Sequence, residues 1–181
     1  MKVLHIFKTY YPDTHGGTEE FIAQLSRQTA KWGVENTVLT LSRHPQPESL
    51  VINGVKVIRL QESGRPWGLP WSWSMMTRWR TLLKDYDLIH FHQPWPFAEC
   101  LYLLLGQKTR AITTYHLDLV RSPMVVSLYR MLLRLFFPRM HSIVATSDAY
   151  VRSSQILPDY LQQVAVVPIG IDFQAKAPSS L

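Results

Sequence analysis

The sequence predicts one α/β domain built on an open, mostly parallel sheet with helices on both faces. Short, nearly uninterrupted apolar runs recur along the chain, which suits strands buried on both faces. Most intervals between them hold helix-like patterns, and strand alternating with helix makes neighbouring strands parallel. The size is adequate: 181 residues, 46% hydrophobic and 18% charged, bury a core of ordinary domain size. A disordered or collagen-like chain is excluded.

Residues 3–7 (VLHIF) are expected to form the first central strand. A loop with Pro12, His15, Gly16 and Gly17 follows, and Thr18 ahead of Glu19 and Glu20 reads as an N-cap with acidic residues where the helix dipole favours them. Phe21, Ile22, Leu25 and Trp32 lie near one helical face, and Gly33 is a natural stop. Residues 34–41 read as the second strand, and the Pro45 and Pro47 region as a surface loop. Residues 51–52 and 55–60 flank Asn53-Gly54, the strongest short hairpin signal. Further strands are expected at residues 87–91 (DLIHF), 110–114 (RAITT), 142–146 (SIVAT) and 164–167. The domain is expected to span residues 1–172, ending near Asp172, with 173–181 of linker composition. No internal repeat or low-complexity tract interrupts it.

Nineteen Lys and Arg against thirteen Asp and Glu leave a net charge of +6, which suits phosphorylated ligands, polyanions or an anionic membrane surface as partners. The single Cys100 excludes an internal disulfide framework and a multi-Cys metal site, and favours a reducing, cytoplasmic setting. No cleavage pattern follows the short apolar start, so no signal peptide is expected. Residues 124–140 are interrupted by Arg130, Arg134 and Arg139, short of the roughly 18 uncharged residues a spanning helix needs.

Three short segments carry chemistry. In His15-Gly16-Gly17-Thr18, paired glycines allow close backbone approach, and the helix start offers unpaired N–H groups to a phosphate. A tight turn that needs glycine for steric reasons alone fits as well. Neither the dinucleotide fingerprint nor a P-loop is present, because the third glycine and the Gly-Lys-Ser/Thr are missing. His90 and His92, two apart in a strand, share one face. A metal pair, a lining role at the carboxyl edge of the sheet and a plain structural role all remain open. No third ligand stands at a convincing spacing, so no metal is expected. Thr113-Thr114-Tyr115-His116-Leu117-Asp118 ends another strand and places His116 at the edge where ligands bind in open parallel sheets. There the imidazole can serve a sugar hydroxyl or phosphate oxygen with Asp118 orienting it, or simply fix the loop.

Arg65, Trp67, Trp71, Trp73, Met75, Met76, Arg78, Trp79 and Arg80 are the most unusual composition in the chain. Aromatic area interleaved with cations suits a membrane interface or a lipid-linked acceptor. A core-packing helix with solvated arginines is the alternative.

Five segments in order, residues 2–33, DLIHFHQPWPF, TTYHLD, SIVATSDAYVRSS and VAVVPIGID, resemble the amino-terminal domain of family 4 glycosyltransferases. These are retaining enzymes with two Rossmann-like domains facing across a cleft. The resemblance implies that Gly16 and Gly17 approach the donor diphosphate and that His116 contacts the transferred sugar. It places His92 and Ser147 on the cleft wall, and implies no metal or other cofactor. Pro168, Gly170 and Asp172 match the passage into a second, donor-binding domain that is absent here; Ile169 stands where the family often has Asn.

The resulting expectation is half of an enzyme that moves a hexose from a nucleotide sugar to a glycan or glycolipid acceptor. That acceptor is a lipid-linked surface polysaccharide such as lipopolysaccharide, built by a cytoplasmic protein resting on the inner membrane face. The chain alone is expected to be inactive. The alternative is a non-catalytic Rossmann-like module that pairs with a separate partner chain. Nucleic-acid binding has no recognisable motif in its favour, and none is expected.

Overall fold

The computed structural model describes residues 1–106, 109–118 and 122–170. Within them, β1 (Lys2–Ile6), β2 (Glu35–Ser42), β3 (Ser49–Ile52), β4 (Val55–Gln61), β5 (Leu88–Gln93), β6 (Arg110–Tyr115), β7 (Ser142–Ala145) and β8 (Val164–Val166) form one sheet. The strand order is β3-β4-β2-β1-β5-β6-β7-β8. Every neighbouring pair is parallel except the β3–β4 hairpin. At its tip Asn53 and Gly54 take φ of 49° and 80°, the paired left-handed backbone that an Asn-Gly turn accommodates. The helices are α1 (Gly17–Ala30), α2 (Trp73–Leu83), α3 (Pro96–Leu105), α4 (Pro123–Phe136) and the short α5 (Asp148–Ser153).

Alternation along the strands sorts the side chains into two layers. Leu4, Ile6, Leu39, Leu41, Ile89 and Phe91 point into the larger core with Trp79, Leu101, Leu133 and Phe136 from α2, α3 and α4. Phe7, Val38, Val55 and Val57 face the other way, against Ile22 and Ala23 of α1. Strand residues from the same runs thus feed both cores, as near-continuous apolar strands require.

Two sequence expectations change. Thr18 is not the N-cap of α1; Gly16 is, in extended backbone with no side-chain cap. Glu19 and Glu20 still occupy the first turn, and Glu19 is held by the Thr9 and Thr14 hydroxyls at 3.0 and 2.7 Å. The Trp-Arg segment, secondly, is not one surface. Pro66–Gly68 makes a single 3₁₀ turn, α2 starts at Trp73 behind an Ser72 cap, and Trp79 and Met75 are core residues. Of the segment's tryptophans, Trp67 and Trp73 are broadly exposed, while Trp71 is half-buried and Trp79 buried. Arg65 pairs with Glu62, Arg78 pairs with Glu48, and Arg80 donates to the Leu105 carbonyl. The helical spacing from Met75 to Trp79 to Leu83 turns one Trp inward, and local acids and a helix end take up the cations. The expected boundary at Asp172 and the 173–181 segment lie outside the described residues.

Candidate functional site

The sheet reverses its winding between β1 and β5, so the loops leaving these two strands diverge and open a crevice at their carboxyl ends. The glycine loop leaves β1 there, His92 stands near the end of β5, and His116 follows β6. Four of the expected site residues, Gly16, Gly17, His92 and His116, are thereby brought to one edge from three segments far apart in the chain.

Beneath that edge, on the α1 face, the middle of the sheet carries imidazoles where its flank carries valines. His5 on β1 sits opposite His90 on β5. His5 Nδ1 and His92 Nε2 share a hydrogen bond of 3.1 Å, and His92 Nδ1 and His116 Nε2 share another of 3.1 Å. His5 Nε2 meets Asn36 Oδ1 at 3.0 Å, and His90 Nε2 meets Thr114 Oγ1 at 2.7 Å. Phe21 of α1 lies edge-on to His116, with ring centres 5.0 Å apart. His5, His90 and His92 are buried and His116 is partly so.

Burial disfavours the charged imidazolium and holds these rings neutral. It brings His5 down to about 4 despite the Asn36 hydrogen bond, which acts the other way. His90 and His92 fall well below the usual value, through burial first and then through the charge of neighbouring imidazoles, His5 and His116 for both and His90 as well for His92. His116 falls to about 4, by burial and then by the Lys8 ammonium, whose Nζ donates to the Pro94 carbonyl at 3.4 Å.

His5 is the third imidazole that sequence spacing did not supply: His5, His90 and His92 each offer a ring nitrogen within 4.8 Å of the others. Metal chemistry fits them poorly. A metal there would require the His5 Nδ1–His92 Nε2 hydrogen bond to be given up, and the group supplies no anionic ligand to offset a dication's charge. The 3.1 Å His5–His92 contact has the length of a proton-bearing hydrogen bond.

The two glycines differ. A Cβ on Gly16 would stand 2.6 Å from Glu19 Oε2, so the steric reading of the loop applies there. A Cβ on Gly17 would meet nothing within 4 Å. This chain's own packing gives no reason for glycine at 17, which leaves open space beside the first N–H groups of α1 for an anion.

Asp118 does not orient His116. Its Oδ1 accepts from the Tyr115 and Ser154 hydroxyls, each at 2.9 Å, and fastens the β6 loop to the end of α5. Ser147 caps α5, accepting from the Tyr150 N–H at 3.1 Å. A cavity of about 380 Å³ also opens at the carboxyl ends of β1 and β2, where Thr9, Asp13, Thr14, Ser42, Arg43 and Arg65 offer polar groups suited to a polyhydroxylated ligand.

The sequence profile of Glycosyltransferase Family 4 matches residues 15–175, most of the chain. The chain belongs to this family. It is 35% identical over 172 residues to the D-rhamnosyltransferase WbpZ of Pseudomonas aeruginosa, covering 95% of this chain and 45% of that protein. It is 36% identical over 172 residues to the O-antigen chain mannosyltransferase C of Escherichia coli, covering 95% of this chain and 46% of that one. The chain thus spans about half the length of the curated relatives it matches. The fold superposes on sucrose-phosphate synthase of Thermosynechococcus elongatus with a TM-score of 0.70 at 15% identity, over 96% of this chain and 49% of that one. The open, mostly parallel α/β sheet is therefore one half of a two-domain glycosyltransferase fold.

Sequence reasoning missed His5, Asn36 and Lys8. A lone polar residue inside the apolar run 3–7 was the available signal for His5, because a buried strand imidazole must find partners. Lys8 stood just past the first strand, at the edge where ligands bind.

Proposed function

We propose that this chain is the acceptor-side half of a retaining transferase that moves a hexose or deoxyhexose from a nucleotide sugar to a lipid-linked surface glycan. His116 carries the reading: a neutral imidazole at the switch-point edge, against Phe21 of the helix that the glycine loop begins. In this reading the α1 N–H groups stabilise the departing diphosphate and His116 positions the sugar. The work is orientation and charge stabilisation, without a covalent intermediate. The names of the two curated relatives favour a mannose or rhamnose donor and an O-antigen acceptor. The second half of the cleft belongs to the remainder of a longer protein.

The test is to assay the complete enzyme that contains this chain, and residues 1–181 alone, against a panel of nucleoside diphosphate hexoses with a lipid-linked acceptor. Transfer by the complete enzyme, with only millimolar donor binding and no turnover by residues 1–181, is the expected outcome. Robust transfer by residues 1–181 unaided would overturn the two-half reading.

Membrane contact is proposed through α4, not through the tryptophans. Met124, Leu128, Met131 and Leu135 recur at helical spacing and are all broadly exposed, while Tyr129, Leu133 and Phe136 on the opposite side enter the core. Arg130 and Arg134 belong to the same helix, and each basic side chain near an anionic surface adds about 1 kcal/mol of attraction. No helix among the described residues is long and apolar enough to cross a membrane, and the contact proposed is peripheral, on the inner face. Leu128→Glu with Met131→Glu is expected to cut co-sedimentation with anionic vesicles more than 10-fold at unchanged circular dichroism, and Trp67→Ala is expected to leave it intact. Undiminished sedimentation of the α4 variant would remove α4 from the interface.

A further inference from the structure

The hydrogen bonds beneath the site form one line across four adjacent strands: Asn36 on β2, His5 on β1, His92 on β5, and His116 after β6. A neutral imidazole has one N–H and one lone pair, so a ring inside such a line transmits direction: a ring that donates on one side accepts on the other. The direction of the whole line is therefore set at whichever end has no choice.

Asn36 is that end. Its Nδ2 lies 3.1 Å from the Ser26 carbonyl, 2.9 Å from Thr29 Oγ1 and 3.3 Å from the Val34 carbonyl. Two of these three groups can only accept, so the amide cannot be flipped without setting oxygen against oxygen. Asn36 Oδ1 must then accept from His5 Nε2–H. His5 Nδ1 is left with its lone pair and accepts from His92 Nε2–H. His92 Nδ1 accepts in turn from His116 Nε2–H, and His116 Nδ1 is left as an acceptor.

We propose that Asn36 is a positioning residue for sugar transfer: through His5 and His92 it locks His116 in the Nε2–H tautomer, so that Nδ1 accepts a hydrogen bond from a hydroxyl of the transferred sugar. This rests on the reading of His116 as a sugar contact. Without the line, neutral His116 would divide between two tautomers, and one of them turns a donor toward the hydroxyl. The side-chain network of α1 and the β1–β2 connection, where Ser26, Thr29 and Val34 lie, thereby sets the hydrogen-bonding sense of a ring at the opposite side of the switch point. His90 stands beside the line and not in it, because its Nε2 is engaged by Thr114.

Two-bond ¹H–¹⁵N spectra of ¹⁵N-histidine-labelled chain read the tautomers directly, without substrate. His5, His92 and His116 should each show protonated Nε2 and unprotonated Nδ1. In Asn36→Leu the three rings should shift toward averaged nitrogen frequencies. Asn36 also ties α1 to β2, so His5→Phe is the second variant: it keeps that tie, cuts the line, and should average only His92 and His116. In the complete enzyme, His5→Phe should lower kcat about 10-fold with little change in donor KM. Protonated Nδ1 on His116 in the unmodified chain would overturn the proposal, as would an unchanged kcat in His5→Phe. So would one equivalent of tightly held divalent metal lost on His5→Phe, because His5 Nδ1 and His92 Nε2 would then be ligands. If the tautomers are as stated but His116→Ala transfers sugar normally, the failure lies in the functional reading and not in the line.

Discussion

His116→Ala, in the complete enzyme, is expected to lower kcat about 100-fold while changing the stability of this domain by less than about 1.5 kcal/mol. The asymmetry follows from where the ring sits. His116 lies beyond the end of β6, partly exposed, and its described hydrogen bond is the one to His92. Removal leaves His92 Nδ1 without its donor at the rim of the crevice, where water can replace it. Phe21 loses one edge-on neighbour and keeps another in His92, at 6.0 Å. The transition state has no such replacement, because a hydroxyl that the ring orients must otherwise be held by mobile solvent. Paired measurements on one variant, transfer kinetics and thermal unfolding, separate the two roles. A fall of many degrees in Tm with normal specific activity would assign His116 to structure alone.

Most of the sheet was legible because its information is local. Apolar runs and Asn53-Gly54 marked all eight strands to within a few residues, and β5 runs two residues past the expected end, to Gln93, before Pro94 stops it. The glycine loop and His116 were legible because both follow strands directly. The histidine line was not. His5 and His92 are separated by 87 residues, and only the strand order puts them side by side. Asp118 misled for the converse reason: two residues from His116 in the chain, it turns to Tyr115 and Ser154, the second of which lies 36 residues on. Composition alone likewise could not distinguish Trp79, on the inner side of α2, from Trp73, on its exposed side. The exposed stripe of α4 was hidden inside an apolar run broken only by arginines, because sequence alone did not show that Tyr129, Leu133 and Phe136 take the core.

Acid should unfold this domain early, and the histidine layer is the reason. Free in the unfolded chain, His5 and His116 titrate near 6.5; folded, each is held down to about 4. The unfolded state therefore takes up protons first as pH falls, so the stability these rings contribute is complete above 6.5 and declines down to about 4. For the buried His5 the gap corresponds to about 3 kcal/mol, and His90 and His92 are shifted in the same direction. Against a total stability of about 5 to 15 kcal/mol, several such groups are enough to unfold the domain. One group works the other way. Burial raises Glu99 from 4.5 to about 7, against hydrogen bonds from the Trp95 N–H, Tyr129 and Gln93, so its contribution is complete below 4.5 and is lost as pH rises through about 7. A single carboxyl offsets part of the loss and not all of it. Urea midpoints should therefore fall steadily from pH 6.5 to 4.5. The slope should become shallower in His5→Phe, which removes one titrating ring, and steeper in Glu99→Gln, which removes the offset. A midpoint that stays level across that range would mean that the rings are charged or hydrated in the folded protein, and the dry, neutral line beneath the site could not exist.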